Sequence, residues 1–131
     1  ILRTQGQRPE ALKDALLCLA GQSNEDFEVI VVTHDASADG FALVSDIVAS
    51  QPASFKSRIS IQEVHGGRRS KPLNVAVEAT RGRYVSFFDD DDLIFGPGLP
   101  NATRGSSCAR WLHRNEPRSR CGHGTSQGSD T

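Results

Sequence analysis

Four consecutive carboxylates, Asp89, Asp90, Asp91 and Asp92, follow directly on the apolar run Tyr84-Val85-Ser86-Phe87-Phe88. Like charges at this density repel, and they are stable side by side only where water or a cation screens them. Open α/β sheets present ligands at the carboxyl ends of their strands. Hard oxygen donors at such an end suit a divalent cation, with Asp91 and Asp92 as its holders and Asp89 supporting a nucleotide. A cation there can in turn hold a diphosphate. The competing reading is a solvated acidic loop, and the position just after a buried strand favours the ligand site.

A second polar segment, Thr33-His34-Asp35-Ala36-Ser37, follows another apolar strand and is expected on the same sheet edge. A carboxylate at Asp35 can accept a hydrogen bond from a base N–H, and small Ala36 and Ser37 let a ligand approach. Turn and helix-cap chemistry explains the same residues equally well. The basic, glycine-rich Gly66-Gly67-Arg68-Arg69-Ser70-Lys71 precedes a helix and faces either phosphate or plain solvent. The chain has no G-x-G-x-x-G, no Walker phosphate loop and no G-x-S-x-G elbow, which argues against those chemistries. His34, His65, His113 and His123 show no ligand spacing, and Cys108-x4-His113 with Cys121-x-His123 lacks the C-x2-C hairpin of a zinc site.

The elements that must position these groups alternate. Leu2 and Arg3 close a first strand. Pro9 opens a helix carrying Leu12, Ala15, Leu16, Leu19 and Ala20 on one face, and Gly21 stops it. Residues 27–32 form a nearly all-apolar strand, as suits one covered on both faces. Residues 33–40 read as a loop, and Phe41, Val44 and Val48 as a second helical stripe. Residues 58–64 alternate as a more exposed strand. Ser70 and Pro72 start a third helix with Leu73, Ala76, Val77 and Thr80 inward, and residues 84–88 form the next strand. Strand and helix in alternation give an α/β fold, a Rossmann-like half with a mostly parallel sheet and flanking helices.

The chain has 131 residues and a net charge of −1. That is enough for one domain, and it gives no electrostatic case for binding nucleic acid or a membrane surface. The longest apolar runs are too short to cross a bilayer. Three cysteines make no even disulfide set. Cys18 reads as a small buried apolar group, and a reducing, cytoplasmic setting follows. Composition changes near Gly96: residues 96–131 hold no Val, Ile or Phe but six of the twelve glycines. The expected organisation is a domain over residues 1–95, cut at both ends, and a tail over 96–131 that is disordered or read out of frame.

Residues 1–95 resemble the N-terminal half of a family 2 glycosyltransferase of the GT-A fold. The resemblance rests on Arg3-Thr4, the helix from Pro9 to Gly21, Asp26-Phe27-Glu28-Val29-Ile30-Val31-Val32, and Pro72-Leu73-Asn74-Val75-Ala76. Its most specific part is Ala79-Thr80-Arg81-Gly82-Arg83-Tyr84-Val85-Ser86-Phe87-Phe88, followed by the acidic run. It implies a nucleotide-sugar donor (UDP-, GDP- or dTDP-sugar) bound through Mn or Mg on Asp91 and Asp92, with hexosyl transfer to an unknown acceptor. It implies that Thr4 borders the nucleotide, Asp35 recognises the base and Asp89 lies near the ribose or the metal's water shell. Lys71 and Asn74 would line the same pocket. The family often carries two acidic residues after the second strand, and here His34 stands in place of the first. The acceptor pocket and catalytic base would belong to a half missing here, so the fragment is expected to be inactive. The alternatives are a non-catalytic cation- or partner-binding module and a non-functional gene remnant.

Overall fold

A computed structural model describes residues 1–93 and 112–113. The strands are β1 (Leu2–Thr4), β2 (Val29–His34), β3 (Ile59–Val64), β4 (Tyr84–Val85), β5 (Phe88–Asp89) and β6 (Leu112–His113). The helices are α1 (Pro9–Ala20), α2 (Ala38–Ala49), α3 (Ala53–Lys56) and α4 (Ser70–Ala79). β3, β2, β1 and β5 lie side by side in that order, all parallel. The expected parallel α/β fold with flanking helices is therefore present.

Strand β2 is buried along its whole length, and its alternating side chains feed two cores. Val29 and Val31 pack with Leu2, Leu12, Leu16, Leu19, Val44, Ile47 and Phe55, under α1, α2 and α3. Ile30 and Val32 pack with Val64 and Ala76, under α4. The period of two along the strand thus assigns helices to both faces. β3 lies at one edge, and its residues are mostly half-buried or exposed.

The helix limits follow local chemistry. Pro9 occupies the first turn of α1, and Leu12, Ala15, Leu16 and Leu19 are buried, as their spacing implies. Ser37 caps α2, its Oγ accepting the Gly40 N–H at 3.1 Å, so the expected loop over residues 33–40 shrinks to three residues. Thr33 and His34 belong to β2 instead and are buried. The short helix α3 was not expected. Cys18 is only partly buried, on the flank of α1.

The expected single strand over residues 84–88 is two. β1 pairs with the second of them, Leu2 opposite Phe88 and Arg3 opposite Asp89, and the first consists of Tyr84 and Val85. Those two pair with β6 in a separate antiparallel sheet. Apart from Leu112–His113, the expected tail over 96–131 lies outside the described residues, as do Cys108, Trp111, Cys121 and His123.

Strand order decides where a ligand can sit. From β1 the chain moves through β2 to β3, then returns through α4 to β5 on the other side of β1. The helix after β1, α1, and the helix before β5, α4, therefore cover opposite faces of the sheet. That opens a crevice at the carboxyl ends of those two strands.

Candidate functional site

Arg3 and Thr4 end β1, and Asp89 ends β5 beside them. Arg3 forks onto Asp89, with Nε 2.8 Å from Oδ1 and Nη2 2.8 Å from Oδ2. This two-pronged geometry is the strongest form of such a pair. A third donor of Arg3, Nη1, reaches the Arg69 carbonyl at 3.4 Å, tying the approach to α4 to the same edge.

Asp90 turns inward and is 3% exposed. A buried carboxylate is stable as an anion only with partners. Thr4 Oγ1 donates to its Oδ2 at 2.7 Å, and Arg8 Nη2 lies 2.6 Å from its Oδ1. Thr4 Oγ1 also accepts the Gly6 N–H at 3.1 Å, so one hydroxyl ties the carboxylate to the turn that leaves β1. Asp91 turns outward. Arg8 Nη1 donates to its Oδ2 at 2.8 Å, with both side chains more than half exposed. That hydrogen bond is the main cause holding the Asp91 carboxyl below its ordinary range, and the same contact, with the Asp90 charge, raises Arg8. Asp92 folds back, and its Oδ2 accepts the Asp89 N–H at 2.8 Å.

A polar cavity of about 250 Å³ opens here, lined by Arg3, Thr4, Gln5, Gln7, Arg8, His34, Arg69 and residues 89–91. Of the residues singled out from the sequence, Thr4, Asp89 and Asp91 line it. Asp35, Lys71, Asn74 and Asp92 do not. Asp35 sits in the left-handed region at φ 50°, a conformation Asp tolerates better than most residues. Its Oδ1 accepts the Gly66 N–H at 2.6 Å, and its Oδ2 lies 3.2 Å from His34 Nε2. Lys71 donates from Nζ to the His65 carbonyl at 2.7 Å, and Asn74 is exposed on α4.

Arg8, the burial of Asp90 and the reach of Arg3 onto Asp89 carry no local pattern in the sequence, because they depend on the β1–β5 register or on the turn before α1. His34 and Arg69 lie in segments that the sequence marked, and they reach the cavity from the end of β2 and the approach to α4. A larger cavity of about 570 Å³ lies at the opposite ends of the strands, around Ile1, Leu19, Phe27, Tyr84 and Phe88. Its lining is mainly apolar, and its charged residues, Asp26, Glu28 and Arg83, form no carboxylate run like residues 89–92, so the smaller polar cavity is the candidate site.

The carboxylates are hard oxygen donors of the kind Mg2+ and Mn2+ take, and Asp91 is exposed enough to offer one. Among the described residues, however, no three His, Cys, Asp or Glu side chains are already gathered around a point that could hold an ion. The donor chemistry fits a cation, with further oxygens to come from water or a phosphate ligand.

Comparison with known proteins adds the following. The family model described as "Glycosyl transferase family 2" matches residues 6–101. None of the curated proteins is significantly similar. Among solved structures, Staphylococcus aureus TarS 1–349 is 24% identical with a TM-score of 0.55, over 71% of this chain and 27% of that one. The mannosyltransferase PcManGT from Pyrobaculum calidifontis, solved with GDP-Man and Mn2+, is 23% identical with a TM-score of 0.60, over 73% of this chain and 28% of that one. At these identities the structures establish a common fold. This chain spans little more than a quarter of the length of either.

Proposed function

Because the chain belongs to glycosyl transferase family 2, we propose that residues 1–93 form the donor half of such an enzyme. They would bind a nucleotide sugar in the crevice between β1 and β5. The observation that carries this reading is the reversal of strand order at β1. It brings Arg3 and Thr4 from one strand end, and Asp89, Asp90 and Asp91 from the other, to one polar cavity. The Mn2+ and GDP-Man named for the Pyrobaculum structure support a donor of nucleoside diphosphate type.

In this reading Thr4 and Asp90 fix the floor of the site. Asp35, held by Gly66, meets the base at the flank, with Lys71 and Asn74 on the neighbouring helix. Asp91 and Asp92 would hold a divalent cation, with Asp89 near the ribose or the metal's water. Such a cation, when bound, neutralises the departing diphosphate as Lewis acid and template. The transferred group is a hexosyl unit. The acceptor and the base that takes its hydroxyl proton lie outside residues 1–93, and these residues alone do not complete transfer. A reducing, cytoplasmic setting is part of the same proposal, Cys18 having no disulfide partner among the described residues.

The test is a titration of the full chain with UDP, GDP and dTDP, each with and without Mn2+. One nucleoside diphosphate is expected to bind with metal-dependent heat and at least one other to bind more weakly. Absence of binding by all three under both conditions overturns the proposal.

A further inference from the structure

Arg8 stands between the acidic run and any cation that would use it. Its guanidinium lies 2.6 Å from Asp90 and 2.8 Å from Asp91, one nitrogen to each. It is thus a positive charge already seated between two carboxylates. We propose that Arg8 is a built-in counter-cation of this site. It neutralises the run while the site is empty and must leave Asp91 before a divalent ion can bind there, so it sets the affinity for the ion. This rests on the donor-site reading above.

Three features make the exchange physically feasible. The backbone of Arg8 is fixed, since its carbonyl accepts the Leu12 N–H at 3.1 Å and opens α1, so only the side chain has to swing. That side chain is 55% exposed, and its contact with the equally exposed Asp91 is of the weak, solvent-screened kind. Asp90 is not left bare, because Thr4 still donates to it and the incoming ion supplies the charge that departs. Arg3 differs. It is 17% exposed and forked onto Asp89, so it stays in place.

The experiment measures Mn2+ affinity of the full chain, with the metal alone and then with UDP or GDP, by calorimetry or the paramagnetic resonance of free Mn2+. Arg8→Gln is expected to tighten Mn2+ by about fivefold, the factor that corresponds to removing one competing exposed pair. Lys13→Gln removes a charge from the exposed face of α1, outside the cavity lining and without touching that pair, and is expected to leave the affinity near that of the unaltered chain. Arg8→Lys keeps the charge but cannot fork between two carboxylates, and is expected to fall in between. It also serves if the glutamine variant does not fold. Equal tightening in Arg8→Gln and Lys13→Gln would reduce the effect to general charge and overturn the proposal. So would unchanged or weaker binding in both Arg8 variants. If all chains bind Mn2+ and nucleotide alike, the donor-site reading stands and only the role of Arg8 falls. If none binds Mn2+ even with nucleotide, both fall.

Discussion

Asp90 carries the charge that would be hardest to leave without a partner. It is buried against Thr4 and Arg8, while its neighbours in sequence reach water. Thr4→Val keeps the shape but removes the hydroxyl that serves both Asp90 and the Gly6 N–H. Losing a buried donor of this kind costs about 1–3 kcal/mol, and urea unfolding should show a loss of that size. Asp91 gives a pH signature. Its carboxyl titrates below its ordinary 3.8, so the native state holds the charged form more strongly than the unfolded chain does. The Arg8–Asp91 contribution is therefore complete above that value and lost as pH falls through the depressed one. Arg8→Gln should shrink the acid-side fall in stability, read from unfolding midpoints at a series of pH values from neutral downward. The acidic run was plain in the sequence, and Asp91, singled out there as a holder of a cation, lines the cavity. Which carboxylate turns inward was not legible, because that depends on a hydroxyl 86 residues away.

At the scale of elements, the turn from β1 into α1 sets the position of Arg8. Gly6 sits at φ 72°, and a Cβ there would stand 2.7 Å from the Gly40 carbonyl oxygen. The turn is thus pressed against the first turn of α2, and only glycine satisfies both demands. Gly6→Ala is expected to destabilise by more than about 1 kcal/mol. It should also weaken nucleotide binding at temperatures where the chain is still folded, because the Gly6 N–H holds the Thr4 hydroxyl that donates to Asp90 in the cavity. Helix α1, β2 and α4 were readable from apolar spacing, Pro9 and Gly21, since their patterns are local. The break between β4 and β5 was not. Residues 84–88 are uniformly apolar or small, and the division shows only in the pairing, β5 with β1 and β4 with β6. Thr33 and His34 were read as loop by their polarity, yet they extend β2 because β3 offers them Glu63 and Val64 as partners.

For the molecule as a whole, the order β3-β2-β1-β5 converts a list of parallel strands into a site. It makes β1 the central strand, flanked by β2 and β5, with the polar cavity at its carboxyl end. The alternation of strands and helices announced such a sheet, but not which two strand ends would meet. Asp35, Lys71 and Asn74 share that side of the fold without reaching the cavity lining. A bound nucleotide would have to span from residues 89–91 to Asp35. The central claim is that this edge binds a nucleoside diphosphate through a cation on the acidic run. Its most direct test is calorimetric titration of UDP and GDP with and without Mn2+, on the unaltered chain and on Asp91→Asn. Binding that requires Mn2+, and that weakens by about tenfold or more in Asp91→Asn, is the expected result, since even outer partners of a metal site contribute that much. Nucleotide binding that is the same with and without Mn2+, and the same in Asp91→Asn, would contradict it.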